Sequence, residues 1–141
     1  MWKIGILCND FEVFTSGTKL LPSNSGMVFE QFDEKVSYDA VLITVVFCSG
    51  SPISCPVVIL PGECKLPVVA NSAISFGMSP KDTLTVSSVS DDGIIVAVRR
   101  DFPSLSGEMI MRGEFPFGWK LPVSTALPFA ALSLISGAEL K

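Results

Sequence analysis

Histidine is absent from this chain of 141 residues. Its absence removes the Ser-His-Asp and Cys-His nucleophile systems, the HExxH zinc sites and the usual physiological-pH switch together. Any chemistry is left to carboxylates, lysine, serine or thiolate, which argues against an enzyme. Positive charge is also scarce: ten Lys and Arg stand against fourteen Asp and Glu, for a net charge of −4 and a pI near 4.7. The one basic pair, Arg99-Arg100, is followed at once by Asp101. A nucleic-acid partner needs clustered positive charge to displace counterions from phosphates, so none is expected. No GxGxxG follows the first apolar run and no GxxxxGK[ST] occurs, so neither ATP nor NAD is signalled and no cofactor is expected.

The four cysteines, Cys8, Cys48, Cys55 and Cys64, include no CxxC pair and fit no zinc-ribbon or redox spacing, so no metal is expected either. They read as reduced, structural thiols of a cytoplasmic protein, with a Cys55–Cys64 disulfide across a proline-rich loop as the alternative. No Asn-x-Ser/Thr sequon is present. Residues 121–138 carry no charge for eighteen positions, which touches the lower limit for a membrane span. Pro122, Pro128 and several small polar residues interrupt the stretch, so a buried helix is the better reading and a membrane partner is not expected.

What is plentiful is apolar surface: 48% of the residues are hydrophobic and the mean hydropathy is +0.52. Residues 1–141 read as a single domain, large enough to build a core without a staple. Residues 3–8 form a short apolar run ended by Asn9-Asp10. Residues 11–26 are ambiguous, and residues 27–34 fit a helix or a strand. The β-branched run centred on residues 41–47 has no alternation, which marks a strand covered on both faces in a parallel sheet. Residues 57–60 and 69–76 repeat that texture. Residues 83–89 and 94–100 alternate around Asp91-Asp92-Gly93, a hairpin signal, and residues 108–115 make a third antiparallel strand. Val123, Leu127, Ala130, Ala131, Leu134 and Ile135 then share one helical face. The pattern predicts an α/β fold: a mixed sheet with buried, parallel central strands, an antiparallel meander and a closing C-terminal helix.

Motifs carrying chemistry are few. Ser16-Gly17-Thr18-Lys19 matches the SxxK of serine acyl-transfer enzymes, without the accompanying SDN and KTG. The carboxylate neighbours Asp10/Glu12, Asp33-Glu34 and Asp91-Asp92 fit turns and solvated segments better than a site. Phe115, Phe117 and Trp119 sit in an aromatic, proline-containing stretch that is either a partner-binding patch or a plug beneath the sheet.

Ile74-Ser75-Phe76-Gly77, the alternating runs at 82–89 and 93–98, Gly113, and the small-residue helix at 125–137 resemble, in that order, the second half of the Mur ligase central domain. There a strand ending in Phe-Gly leads into an antiparallel meander, then a glycine and an alanine-rich helix. The resemblance covers about half of the chain. The family's P-loop is missing, and Glu114-Phe115-Pro116-Phe117 stands where its His-Asn pair is usual. ATP-dependent ligation is therefore not implied, and no functional residue is carried over.

Two expectations of different class follow. The first is a non-catalytic cytoplasmic protein that works by protein–protein contact or self-association, as a homodimer or other homo-oligomer. Its candidate interfaces are Phe115, Phe117 and Trp119, or the face of the C-terminal helix. The second is a small-molecule-binding or enzymatic domain, with a crevice at the carboxyl ends of the buried strands lined by Asn9, Asp10, Ser49, Ser51, Ser79 and Lys81.

Overall fold

A computed structural model of the protein describes residues 2–18, 26–45, 52–64, 67–118 and 123–137. The elements follow in the order β1 (Trp2–Leu7), α1 (Phe11–Thr18), β2 (Met27–Gln31), β3 (Ala40–Ile43), β4 (Ile53–Ser54), β5 (Val57–Pro61), β6 (Val68–Val69) and β7 (Ser72–Phe76). Then come β8 (Leu84–Ser90), β9 (Gly93–Val98), β10 (Phe102–Pro103), β11 (Met109–Ile110), β12 (Gly113–Phe117) and α2 (Val123–Ser136). Eight strands make one mixed sheet in the order β12-β9-β8-β7-β5-β3-β1-β2, while β4/β6 and β10/β11 form two small ribbons.

The fold class is the expected one. β2, β1, β3, β5, β7 and β8 run parallel, and β9 and β12 complete the sheet as an antiparallel meander. The unbroken β-branched run gives β3, whose four residues are all buried between two layers of side chains. Residues 46 and 47 lie outside the described segments. β8 and β9 pair through the two-residue turn Asp91-Asp92, with Ser90 opposite Gly93 and Gly93 at φ +148°. The Val86/Ser88 bulge bends this hairpin. Of residues 27–34, open between two periods, 27–31 form a strand and the rest enters the crossover, and the ambiguous stretch after Asn9-Asp10 opens with α1.

Three expectations need correction. Residues 69–76 are not one run: β6 ends at Val69, and the Asn71 and Ser72 N–H groups turn to the Pro56 carbonyl (3.1 and 3.0 Å) before β7 begins. The third antiparallel strand is also split. Met109–Ile110 pairs with β10 around Gly107, and the partner of β9 is Gly113–Phe117, later than expected. Finally, the apolar stripe expected on one face of α2 is wider than one face: residues 126–135 are buried all round, which bears out the buried-helix reading of this stretch.

The core divides between the two faces of the sheet. On one, Ile4, Ile6, Leu42, Ile59, Ile74 and Val96 pack beneath α1 and α2, with Phe14 stacked on Phe129 at 5.0 Å. On the other, Val41, Ile43 and Val58 lie under Tyr38, Ile53 and Cys55.

Candidate functional site

Strand order reverses between β1 and β3, because the chain steps from β1 outward to β2 and then crosses back. Open α/β sheets place ligands at the carboxyl ends of the strands beside such a switch point. Asn9 and Asp10 follow β1 there and are exposed. The Thr44 N–H donates to the Leu7 carbonyl (3.0 Å) and holds the two strand ends together. Ser49 and Ser51, expected on the opposite lip, lie outside the described residues.

The polar groups of this rim have local work. Asp10 caps α1: its Oδ1 accepts the Val13 N–H at 3.1 Å, and its carbonyl accepts the Phe14 N–H. Ser79 closes a turn after β7, where the Asp82 N–H donates to the Ser79 carbonyl (3.0 Å) and the Ser79 N–H donates back to Asp82 Oδ2 (3.0 Å). The Lys81 N–H donates to Ser79 Oγ. The Ser79 and Asp82 side chains thus each accept a backbone N–H within one turn that leads into β8. The Lys81 side chain is exposed, and its carbonyl accepts from the Arg100 guanidinium. β1 and β7 are three strand spacings apart, about 14 Å, so Asn9 and Asp10 do not converge with Ser79 and Lys81.

Asp82, which the charge pattern Lys81-Asp82 marks for an ion pair but which is not among the expected crevice residues, is the buried member of this turn. It is 4% exposed, a buried carboxylate against Gly62 and Gly77 whose Oδ2 accepts the Ser79 N–H. A Cβ at Gly62 would come within 1.9 Å of its Oδ1, so the β5 turn can pass this close only as glycine. The Ser-Pro-x-Asp spacing was a readable sign of this turn; nothing in the sequence tied it to Gly62.

Of the two readings of the aromatic stretch, the plug holds for Phe117. Period-two alternation on β12 turns Phe115 and Phe117 toward the helix-covered core, leaving Glu114 and Pro116 exposed. Phe117 is 5% exposed and acts as a plug, Phe115 is half-buried, and Trp119 lies outside the described residues. The candidate interface on α2 is likewise inside the core over residues 126–135.

A cleft of about 460 Å³ opens instead near the amino ends of β3, β5 and β7, lined by Glu34, Lys35, Ser37, Tyr38, Ser54 and Asn71 among others. Cys55 forms part of its floor, with Sγ donating to the Tyr38 carbonyl (3.4 Å). Burial raises the Cys55 thiol pKa above its ordinary value, as it does for Cys8, so neither is an activated nucleophile. Cys8, Cys55 and Cys64 are free thiols, which sets aside the Cys55–Cys64 disulfide. Among the described residues no group of His, Cys, Asp and Glu could hold a metal ion, and no helix is long and apolar enough to cross a membrane. The chain matches no family model, no curated protein and no solved structure.

Proposed function

We propose that the protein is non-catalytic and works by association, first of all with itself, rather than by chemistry on a small molecule. The observation that carries this reading is the lack of convergence at the rim. Asp10 and Ser79 are engaged in closing their own turns, and the strands they follow, β1 and β7, are about 14 Å apart in the sheet. A cytoplasmic setting belongs to the same reading and rests on the cysteine spacing and the missing sequons. A Mur-ligase-like origin for the second half, without ATP binding, rests on the motifs quoted above alone. Sedimentation velocity of the purified protein at micromolar concentration tests the proposal: a dimer or larger species is expected, and a monodisperse monomer overturns self-association.

The switch point between β1 and β3 favours a second reading, a small-molecule site with Asn9 and Asp10 on one lip. Titration calorimetry with ATP and magnesium tests the nucleotide case of this second reading. No heat of binding is expected, because the phosphate cradle is missing; micromolar binding would shift the function to the crevice.

A further inference from the structure

Edge strands leave one row of backbone N–H and C=O groups without a partner, and proteins usually blunt such edges with proline, lysine, a bulge or a cover. The two outer strands of this sheet differ in that respect. β12 carries Pro116 within it. β2 reads Met27-Val28-Phe29-Glu30-Gln31, with neither proline nor lysine, and among the described residues its one neighbour is β1. The direction of its free groups follows from two bonds. The Trp2 N–H donates to the Gly26 carbonyl (2.7 Å), and the Phe32 N–H donates to the Ile6 carbonyl (2.9 Å). Residues 26, 28, 30 and 32 therefore turn their backbone groups toward β1, and alternation turns those of Met27, Phe29 and Gln31 out of the sheet.

The side chains at this edge are apolar and half covered. Trp2, Met27 and Phe29 pack against the helix-side core while staying partly exposed, and the Phe29 ring meets Phe14 edge-on at 6.0 Å. On the opposite face Val28 is 40% exposed. The main core thus runs out to an edge that is open among the described residues.

We infer that β2 pairs antiparallel with β2 of a second copy, about a two-fold axis through Phe29, joining two eight-stranded sheets into one. The inference rests on the association reading and assigns it a surface. In this register Phe29 exchanges both backbone bonds with the partner's Phe29, and Met27 faces the partner's Gln31, so all three outward residues are used. The Gln31 carbonyl, which accepts from the Tyr38 hydroxyl at 3.3 Å, has a second lone pair for the partner's Met27. The strand's single charge, Glu30, faces the partner's Val28 rather than its own copy, and Lys3 stands 3.6 Å from it. A two-fold axis normal to the sheet keeps both α1 helices on one face and brings the two half-covered Phe29 rings together. This self-complementarity selects a second copy over an unrelated strand.

Two variants test the pairing beside the wild type. Gln31→Pro deletes an outward N–H and leaves the bonds to β1 intact, so the circular dichroism should be unchanged while dimerisation weakens by about tenfold or more. Val28 and the partner's Glu30 form a non-hydrogen-bonded pair with Cα atoms about 4.5 Å apart, within disulfide reach. Val28→Cys combined with Glu30→Cys should cross-link to a dimer on oxidation, where wild type and Val28→Cys alone do not. A wild-type dimer that survives Gln31→Pro and fails to cross-link overturns the edge pairing and leaves association standing. A monomeric wild type overturns both, and leaves the edge open to a strand of a different protein.

Discussion

The two faces of the sheet are covered in different ways. On one face a continuous hydrophobic cluster runs from Ile4 on β1 to Phe117 on β12, closed by α1 and α2. On the other, the buried hydrophobic residues form a cluster of six, Tyr38, Val41, Ile43, Ile53, Cys55 and Val58, and they sit under the parallel half alone. Among the described residues no helix covers them; the cover is the crossover at residues 32–39 and the β4/β6 ribbon. Parallel strands need apolar cover on both faces, and antiparallel ones can leave one face wet. Glu114 and Pro116 on antiparallel β12 are exposed accordingly. The comparison teaches that the second cover need not be a helix. Tyr38 lies directly over Gly5, its hydroxyl accepts the Asp33 N–H (2.9 Å) and donates to the Gln31 carbonyl (3.3 Å), and the Lys3 ammonium stands 5.6 Å above its ring.

The strongest way to break the comparison uses adjacent residues of β3. Leu42 faces the helices and Ile43 the crossover, and both are fully buried. Aspartate at either position is an unpaired buried charge, among the few substitutions that remove several kcal/mol, enough to unfold a domain whose total stability is about 5–15 kcal/mol. Leu42→Asp and Ile43→Asp should both lose the cooperative melting transition in circular dichroism. A folded Ile43→Asp protein would mean that the crossover side admits water and is a lid rather than a core.

How far the sequence predicted this arrangement depends on how local the cause is. β3 and the β8/β9 hairpin were legible because burial on two faces and a two-residue turn both leave short-range marks. The tyrosine cover was not, since the close approach of Tyr38 to Gly5 links positions 33 apart in the chain through the β1–β3 register. The same holds for Asp82 against Gly62. For the candidate site, the rim positions of Asn9, Asp10, Ser79 and Lys81 were read correctly as strand ends. Their failure to converge depends on strand order, which no local pattern encodes. Phe117 misled because Phe-Pro-Phe reads as a loop, whereas Pro116 is accommodated on an edge strand.

A smaller effect sharpens the picture of the crossover as a tight cover. A Cβ added at Gly5 would lie 2.9 Å from the Tyr38 ring, closer than side chains pack, and the ring is held at both its hydroxyl and its face. Gly5→Ala should therefore destabilise by about 1–3 kcal/mol, the usual range for overpacking, measured as a shift in the urea midpoint. An unchanged midpoint would show that Tyr38 swings aside freely, and that this face is held by the ribbon instead.

The smallest effect has the opposite sign and lies on the helix-covered face. Ser133 sits in the last turn of α2, fully buried, and its Oγ has no hydrogen-bond partner. The neighbouring hydroxyl does not relieve it, because Ser136 Oγ donates to the Ser133 carbonyl (2.7 Å) rather than to Oγ. A buried hydroxyl without a partner keeps its desolvation cost, and serine is also a weaker helix former than alanine. Ser133→Ala removes the oxygen, leaves a methyl group in an already apolar cluster and should stabilise by about 1 kcal/mol. The cavity left by a single oxygen is too small to reverse that sign. Urea unfolding under the same conditions as for Gly5→Ala gives the comparison, with the midpoint expected to rise while the slope stays constant. A lower midpoint would mean that Ser133 Oγ has a partner in solution, and that the helix-covered face contains a polar contact which the packing of α2 does not show.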